Sequence, residues 1–491
     1  MKYQNPIILS DYSDPDVIRV GSYYYMISSS FNHTPALPIL KSKNLVDWKI
    51  ISYIADSLPF EKFNEVRHGE GVWAPSIRYH NGKYYAVVPF PDEGIYVYEA
   101  DDIEGKWSEP WCLIDAKGIE DPCPIWVGDR CYLVVAFVKS RIGFNSLLAI
   151  YEVTPDLKTK LTDYKVVFDG HNVAPTVEGP KFHYINDYFY ILAPCGSVKT
   201  GWQIALRSKN IYGPYEMKII LMQNDSKING PHQGALIDLP NDKWAFIHFT
   251  DKGPYGRCVC LEPVEFIDNW PICGRIGDRL LAGTAVEESD YIIDIDSNYK
   301  IKDSDNFKNE LSLIWQTPAN KKDGWYDVNN GLTLYCKYFD NDIDNKLNLL
   351  PNLFLTKILY YSFSTKTEAA LNLVNNGDEA GFSYMGKEYA YICVKKLDNK
   401  KYVLLKQGSF NNEDKILEKI LYEDDKIIFN MKYIEPNIYM LGYNNKYFKY
   451  KFIATPGRWI GGKYGIYAKG LKDGGSAKFS YFKVKNNERK R

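Results

Sequence analysis

Five segments of this chain align without gaps from a shared origin, and that repetition constrains the fold more than any other feature. The first begins Pro15-Asp16-Val17-Ile18-Arg19-Val20-Gly21-Ser22-Tyr23, and the second Pro75-Ser76-Ile77-Arg78-Tyr79-His80-Asn81-Gly82-Lys83. The third runs from Pro122 through Gly128-Asp129 to Tyr132, and the fourth from Pro180 through Asn186-Asp187 to Tyr190. The fifth starts at Gly234, turns at Pro240-Asn241 and reaches Trp244. Each reads as an alternating strand, a short turn and an aromatic second strand, the pattern of a β-hairpin. The origins are 60, 47, 58 and 54 residues apart, which leaves room for two more strands per unit. Pro38-Ile39-Leu40-Lys41-Ser42, Ile95-Tyr96-Val97-Tyr98-Glu99 and Ile204-Ala205-Leu206-Arg207-Ser208 supply examples. Four strands per unit, repeated radially, predict a five-bladed β-propeller over residues 1–300. An open sandwich is the alternative, and near-equal spacing in constant phase disfavours it.

The repeat stops near residue 300. Residues 294–309 are polar and lack periodicity, so they read as a linker. Beyond them short alternating strands resume, such as Phe429-Asn430-Met431-Lys432-Tyr433, and residues 310–491 predict a second all-β domain, a β-sandwich. The end, Asn487-Glu488-Arg489-Lys490-Arg491, reads as a solvated tail. Sixty basic against sixty-one acidic side chains argue against nucleic acid as a partner, because phosphate binding needs a cationic surplus. No apolar run reaches the length of a membrane span. No apolar leader follows Met1, and the nine cysteines form no Cys-x-x-Cys pair, so a reduced, cytoplasmic protein is expected. Subunit number is not fixed by these features. The 40 Tyr, 23 Phe and 11 Trp suit strands and also suit sugars, whose apolar faces flat rings cover.

In a propeller the first strands of all blades converge on a central channel. The residues just before the repeat origins therefore share one cavity: Asp14, Trp73, Asp121, Glu178 and His232. An Asp before Pro is often only a turn starter. Three acids at equivalent positions of three units are harder to dismiss. Two carboxyl groups flanking a glycosidic bond suffice to hydrolyse it, one protonated and one ionised, and a third nearby raises the pKa of the acid. A carbohydrate-binding propeller without turnover is the competing class, but a binder has no use for three mutually repelling acids.

The sequence resembles glycoside hydrolase family 43, whose members carry the active site at the centre of a five-bladed propeller. The likeness rests on Ser13-Asp14-Pro15, Gly71-Val72-Trp73-Ala74-Pro75, Ile119-Glu120-Asp121-Pro122, Val177-Glu178-Gly179-Pro180, His232-Gln233-Gly234 and Tyr255-Gly256-Arg257. Leu313-Ile314-Trp315-Gln316 and Gly461-Gly462-Lys463-Tyr464-Gly465 extend it to the concanavalin-like sandwich of many relatives. The resemblance implies Asp14 as general base, Glu178 as general acid, and Asp121 as the residue that tunes and orients that acid. It implies inversion of anomeric configuration, Trp73, Phe31 and Arg257 as substrate contacts, and His232 as support for a cation, usually calcium, in the channel. Where β-xylosidases of the family commonly carry a Phe-Glu-Trp-Phe-type segment, this chain reads Phe31-Asn32-His33-Thr34-Pro35. That departure shifts the expectation to an exo-acting α-L-arabinofuranosidase on arabinoxylan-derived oligosaccharides, with a β-xylosidase or a bifunctional enzyme as the alternative.

Overall fold

The computed structural model of the chain describes residues 1–277, 282–339 and 345–488. Each repeat unit forms an antiparallel sheet whose strands follow one another in chain order. The first sheet comprises Asp16–Val20, Tyr23–Ile27, Ala36–Ser42 and Trp48–Ala55. The next four open with Ser76–His80, Ile119–Val127, Lys181–Ile185 and His232–Asp238. The fourth is extended by Gly283–Thr284, which lies parallel to Glu216–Met222. In the opening hairpins of the second and fourth sheets both turn residues have positive φ, 49° and 80° at Asn81-Gly82, 50° and 60° at Asn186-Asp187. This mirror-image turn matches the twist of the flanking strands, and Asn and Gly adopt it with least strain.

The opening strands neighbour one another in circular order, and that of the fifth sheet lies against that of the first. Apolar clusters fill the spaces between neighbouring sheets. One joins Tyr25, Ile27 and Ile39 to Tyr84, Ala86 and Val88; the next joins Tyr85 and Val87 to Leu133 and Val135. The closing cluster packs Val17, Met26 and Leu40 against Ala235, Ile247 and Val259. Successive side chains along one strand point to opposite faces, so each strand feeds two interfaces and must be apolar on both. Much of the aromatic content of the sequence serves this purpose. The ends of the ring are stitched together by Asn5, whose amide donates to the carbonyls of Leu261 and Val286 and whose oxygen accepts from Leu261 N–H, each at 2.9 Å. Ile8 pairs with Val259 beside it.

Beyond the ring, two sheets face each other across one large core that includes Phe354, Phe382, Tyr464, Phe429 and Phe482. The end of the segment read as a linker belongs to this domain. Asp305 accepts hydrogen bonds from Ser312 N–H and Trp315 Nε1–H, and Phe307 is fully buried in the core. Of the tail, residues 489–491 lie outside the described residues. All nine cysteines are free, with only Cys112 exposed. Among the described residues no helix is long and apolar enough to cross a membrane.

The two parts are packed together. Tyr255 and Cys258 of the ring belong to the sandwich core, and the Tyr255 ring lies 5.2 Å from Tyr361 and 5.8 Å from Tyr433, centroid to centroid. Thr34 pairs with Thr317, Asn320 exchanges two hydrogen bonds with Leu58, and Lys357 Nζ donates to the Asp11 carbonyl at 2.6 Å. Tyr255→Ala removes a buried aromatic from this seam, a change that typically costs about 3–5 kcal/mol. We expect denaturant unfolding to split into two transitions in that variant. A single transition with an unchanged midpoint would show the seam to be passive.

Candidate active site

All seven side chains singled out in the sequence line one cavity of about 320 Å³ at one end of the ring: Asp14, Phe31, Trp73, Asp121, Glu178, His232 and Arg257. The backbone aims the two aspartates. Asp14 and Asp121 stand at φ 55° and 54°, a left-handed conformation that short polar side chains tolerate better than most. At Asp121 the turn also breaks the pairing register between Glu120 and Cys123, so Glu120 lines the cavity too. Sequence reasoning missed Glu120, as it missed Asn145, Gln233 and Trp459.

Asp14 is buried and accepts a hydrogen bond from Ser29 Oγ at 2.5 Å. Arg257 Nη1 lies 3.2 Å from its Oδ1, a partly buried ion pair between the last sheet and the first. The Arg257 guanidinium also covers the Phe249 ring at 4.9 Å. Gly256, at φ 82°, makes this approach possible, because a Cβ there would fall 2.3 Å from Asp11 Oδ1. Asp121 Oδ2 accepts the Gly179 N–H at 2.7 Å, which ties the second carboxylate to the peptide that follows the third.

Crowding like charges into an enclosed space shifts their protonation. Burial pushes Asp121 up to about 7, with Asp14 adding to the rise and the Gly179 N–H opposing it. Enclosure, then Asp121, push Glu178 up to about 8, against the pull of Arg257. Burial and then Asp121, Glu178 and Asp14 raise Glu120 well above the ordinary carboxyl range. These groups titrate as a set. His232 goes the other way: burial, then Arg257, lower it to about 3, so the imidazole is neutral. Its Nε2 lies 3.8 Å from Glu178 Oε1. Two to five residues further along the strands a second polar layer follows, with Arg78 Nη1 donating to Asp16 Oδ2 at 2.7 Å and Lys181 Nζ to Ser76 Oγ at 3.1 Å.

Calcium takes six to eight oxygen ligands. Around His232 the protein offers one imidazole and one Glu178 carboxyl oxygen beside a guanidinium, and among the described residues no three His, Cys, Asp or Glu side chains are placed to hold a metal. This donor set does not fit a protein-ligated calcium ion.

The walls come from both domains. Trp73 and Phe31 lie 6.4 Å apart, and the Arg141 guanidinium sits 5.2 Å over the Trp73 ring. Of residues 31–35 only Phe31 lines the cavity. Asn32 instead donates to the Pro318 carbonyl at 2.6 Å, and His33 is buried at the domain seam beside Pro318 and Lys463. The opposite wall is Trp459, carried over from the sandwich and half exposed at the cavity mouth. Its loop docks closely: Gly462 N–H donates to the Pro254 carbonyl at 2.8 Å, and a Cβ at Gly461 would come within 2.9 Å of Gly256 N.

The sequence pattern described as "Glycosyl hydrolases family 43" matches residues 3–271, and "Beta xylosidase C-terminal Concanavalin A-like domain" matches residues 304–485. A protein named putative beta-xylosidase from Xylanibacter ruminicola is 33% identical over 436 residues, 86% of this chain and 77% of its own length. A non-reducing end alpha-L-arabinofuranosidase of Bacteroides ovatus, BoGH43B, is 29% identical over 307 residues, 56% of this chain and 54% of its own. Further relatives are named beta-xylosidase or xylosidase/arabinosidase. The crystal structure of a family 43 protein, BlXynB of Bacillus licheniformis, superposes with a TM-score of 0.83 at 21% identity, covering 99% of both chains. It shares the fold of this chain.

A carboxyl whose pKa is raised by folding stabilises the protein fully below its unfolded pKa, near 4, and loses that contribution as pH climbs through the folded value. Asp121→Asn removes this loss, and Asn keeps the left-handed backbone. Its melting temperature relative to wild type should therefore be higher at pH 8.5 than at pH 5, by about 2 °C or more. Equal differences at both pH values would mean that Asp121 carries no raised pKa.

Proposed function

This chain belongs to glycosyl hydrolase family 43, and from that premise we propose an inverting exo-glycosidase that removes one terminal pentosyl unit at a time from xylose- or arabinose-containing oligosaccharides. We read the five sheets of residues 1–300 as five blades that carry the site, and residues 310–491 as the sandwich that walls it. The observation that carries the proposal is the cavity itself: Asp14, Asp121 and Glu178 line one space of about 320 Å³ together with Phe31 and Trp73 of the ring and Trp459 of the sandwich, enough to take a terminal pentosyl unit.

Asp14 is the general base. Ser29 and Arg257 fix its carboxylate, which takes a proton from a water molecule as that water attacks the anomeric carbon. Glu178 is the general acid. With its pKa pushed up to about 8 it holds a proton at neutral pH and delivers it to the departing glycosidic oxygen. Bond formation on one face and cleavage on the other invert the anomeric carbon. Asp121 positions the acid through the Gly179 N–H and keeps the proton on it by charge repulsion. Trp73 and Phe31 cover the apolar faces of the sugar, and Arg257 holds a hydroxyl as well as the base.

Terminal β-D-xylosyl and α-L-arabinofuranosyl groups present similar hydroxyl geometry, and we assign both as substrates. The names of most relatives favour xylose. Of residues 31–35 only Phe31, the position shared with the β-xylosidase segment, lines the cavity, so the departure at Asn32-His33-Thr34 gives no argument for arabinose; the name of the Bacteroides ovatus relative supports it. The kcat/KM values for the nitrophenyl β-D-xyloside and α-L-arabinofuranoside should agree within about tenfold, or about 1.4 kcal/mol in transition-state binding. A hundredfold preference for either sugar refutes the dual assignment.

The chemistry is tested separately. Asp14→Asn should stop turnover of every glycoside. Glu178→Gln should lose about 10²–10⁴-fold on oligosaccharides but much less on a dinitrophenyl glycoside, whose leaving group needs little protonation. The first sugar detected by proton NMR should have inverted configuration. Retention, or equal loss on both leaving groups in Glu178→Gln, would reassign the roles.

A further inference from the structure

Three of the four carboxyl groups in the cavity have partners: Asp14 in Ser29 and Arg257, Asp121 in Gly179, Glu178 in Gln233. The fourth does not. No hydrogen bond or ion pair joins the Glu120 carboxyl to any described residue. The side chain is 8% exposed and lines the cavity, and its oxygens are not among the sealed, unpartnered atoms of the structure, so they open onto the cavity. A nearly buried polar group with no partner in the protein must take its hydrogen bonds from whatever fills the space beside it.

We propose that Glu120 contacts the substrate and helps set its specificity, gripping one hydroxyl of the terminal pentosyl unit by donating through its own O–H and accepting through its C=O. The groups that face it determine the form it takes. Enclosure disfavours its ionised form most, and the neighbouring carboxyl groups, Asp121 foremost, add to that effect wherever they are ionised. Arg141 is the cation that opposes them, and its guanidinium is already engaged by Asp92 and the Trp73 ring. Arg257 is taken by Asp14, and His232 is neutral. Glu120 is therefore a carboxylic acid at neutral pH, one donor and one acceptor side by side, which is what a sugar hydroxyl pairs with.

The decisive comparison is between Glu120→Gln and Glu120→Ala in the full-length protein, assayed with nitrophenyl xyloside and its monodeoxy analogues. The amide keeps a donor and an acceptor and should retain kcat/KM within about threefold. Glu120→Ala should lose about 10–10²-fold, mainly through KM, because it removes a contact to the bound sugar. One deoxy analogue should be poor with the wild type yet lose little more with Glu120→Ala, which identifies the hydroxyl. If Glu120→Ala does not fold, Glu120→Met serves in its place. The pH profile gives a readout that a structural role would not. Replacing a neutral acid by a neutral amide changes no charge, so the alkaline limb set by Glu178 should stay where it is in Glu120→Gln. A limb displaced by a pH unit or more to lower pH would mean that Glu120 is ionised and would overturn the proposal. So would unchanged kcat/KM in Glu120→Ala, or deoxy analogues that all respond alike. The limb rests on Glu178 being the acid, whereas the deoxy series does not, so failure of that reading and of this one are distinguishable.

Discussion

A ring of sheets depends on its closure. Every interface between neighbours in this molecule is an apolar cluster of the same kind, but one of them joins the two ends of the ring, and the chain gives it extra support. The Asn5 side chain fastens the N-terminal segment to the strand around Leu261, and Ile8 pairs with Val259. The site inherits this closure directly. Arg257 stands at the start of that strand and Asp14 at the start of the first sheet, so the ion pair that fixes the proposed base spans the joint. Loosening the joint would move the base relative to the acid before it exposed much of the core.

The same convergence that assembles the site also strains it electrostatically. Four carboxyl groups share one cavity with a single guanidinium held among them, and three of them are driven toward their protonated forms. An isolated sheet edge could not confine them, because water would screen the repulsion. Here the polar layer beneath and the sandwich alongside restrict water from two directions. Trp459 matters in this respect as well as for fit, since it narrows the opening through which solvent reaches the acids.

The architecture and the acids were legible because one physical regularity controls both. A hairpin repeated in phase places its first residues in equivalent positions, so aligning the turns at Asn81-Gly82 and Asn186-Asp187 located Asp14, Trp73, Asp121, Glu178 and His232 without any knowledge of contacts. What failed to show were departures from that regularity. Strand alternation sends Glu120 to the face opposite Asp121, and only the left-handed backbone at Asp121, with its break in register, brings both side chains into the cavity. Trp459 lies some 200 residues beyond the last repeat, in a domain whose own pattern says nothing of where it docks. Residues 31–35 failed for a related reason: past Phe31 the segment is claimed by the seam between domains, through Asn32, Thr34 and their partners near Pro318. Sequence spacing reports on what a local motif repeats, and it is silent about surfaces that meet only after folding.

The clasp at Asn5 has a bearing on how the molecule is made. Its partner at Leu261 is 256 residues away, so on the ribosome the first sheet emerges long before anything exists to complete its outer interface. Val17, Met26 and Leu40 must wait, half covered, until Ala235, Ile247 and Val259 have been synthesised. At about 5–20 residues per second that interval is of the order of ten seconds or more. Throughout it the nascent protein carries an open arc with an apolar surface at its leading end, which is the kind of surface that chaperones bind and that neighbouring nascent chains on a polysome can misjoin.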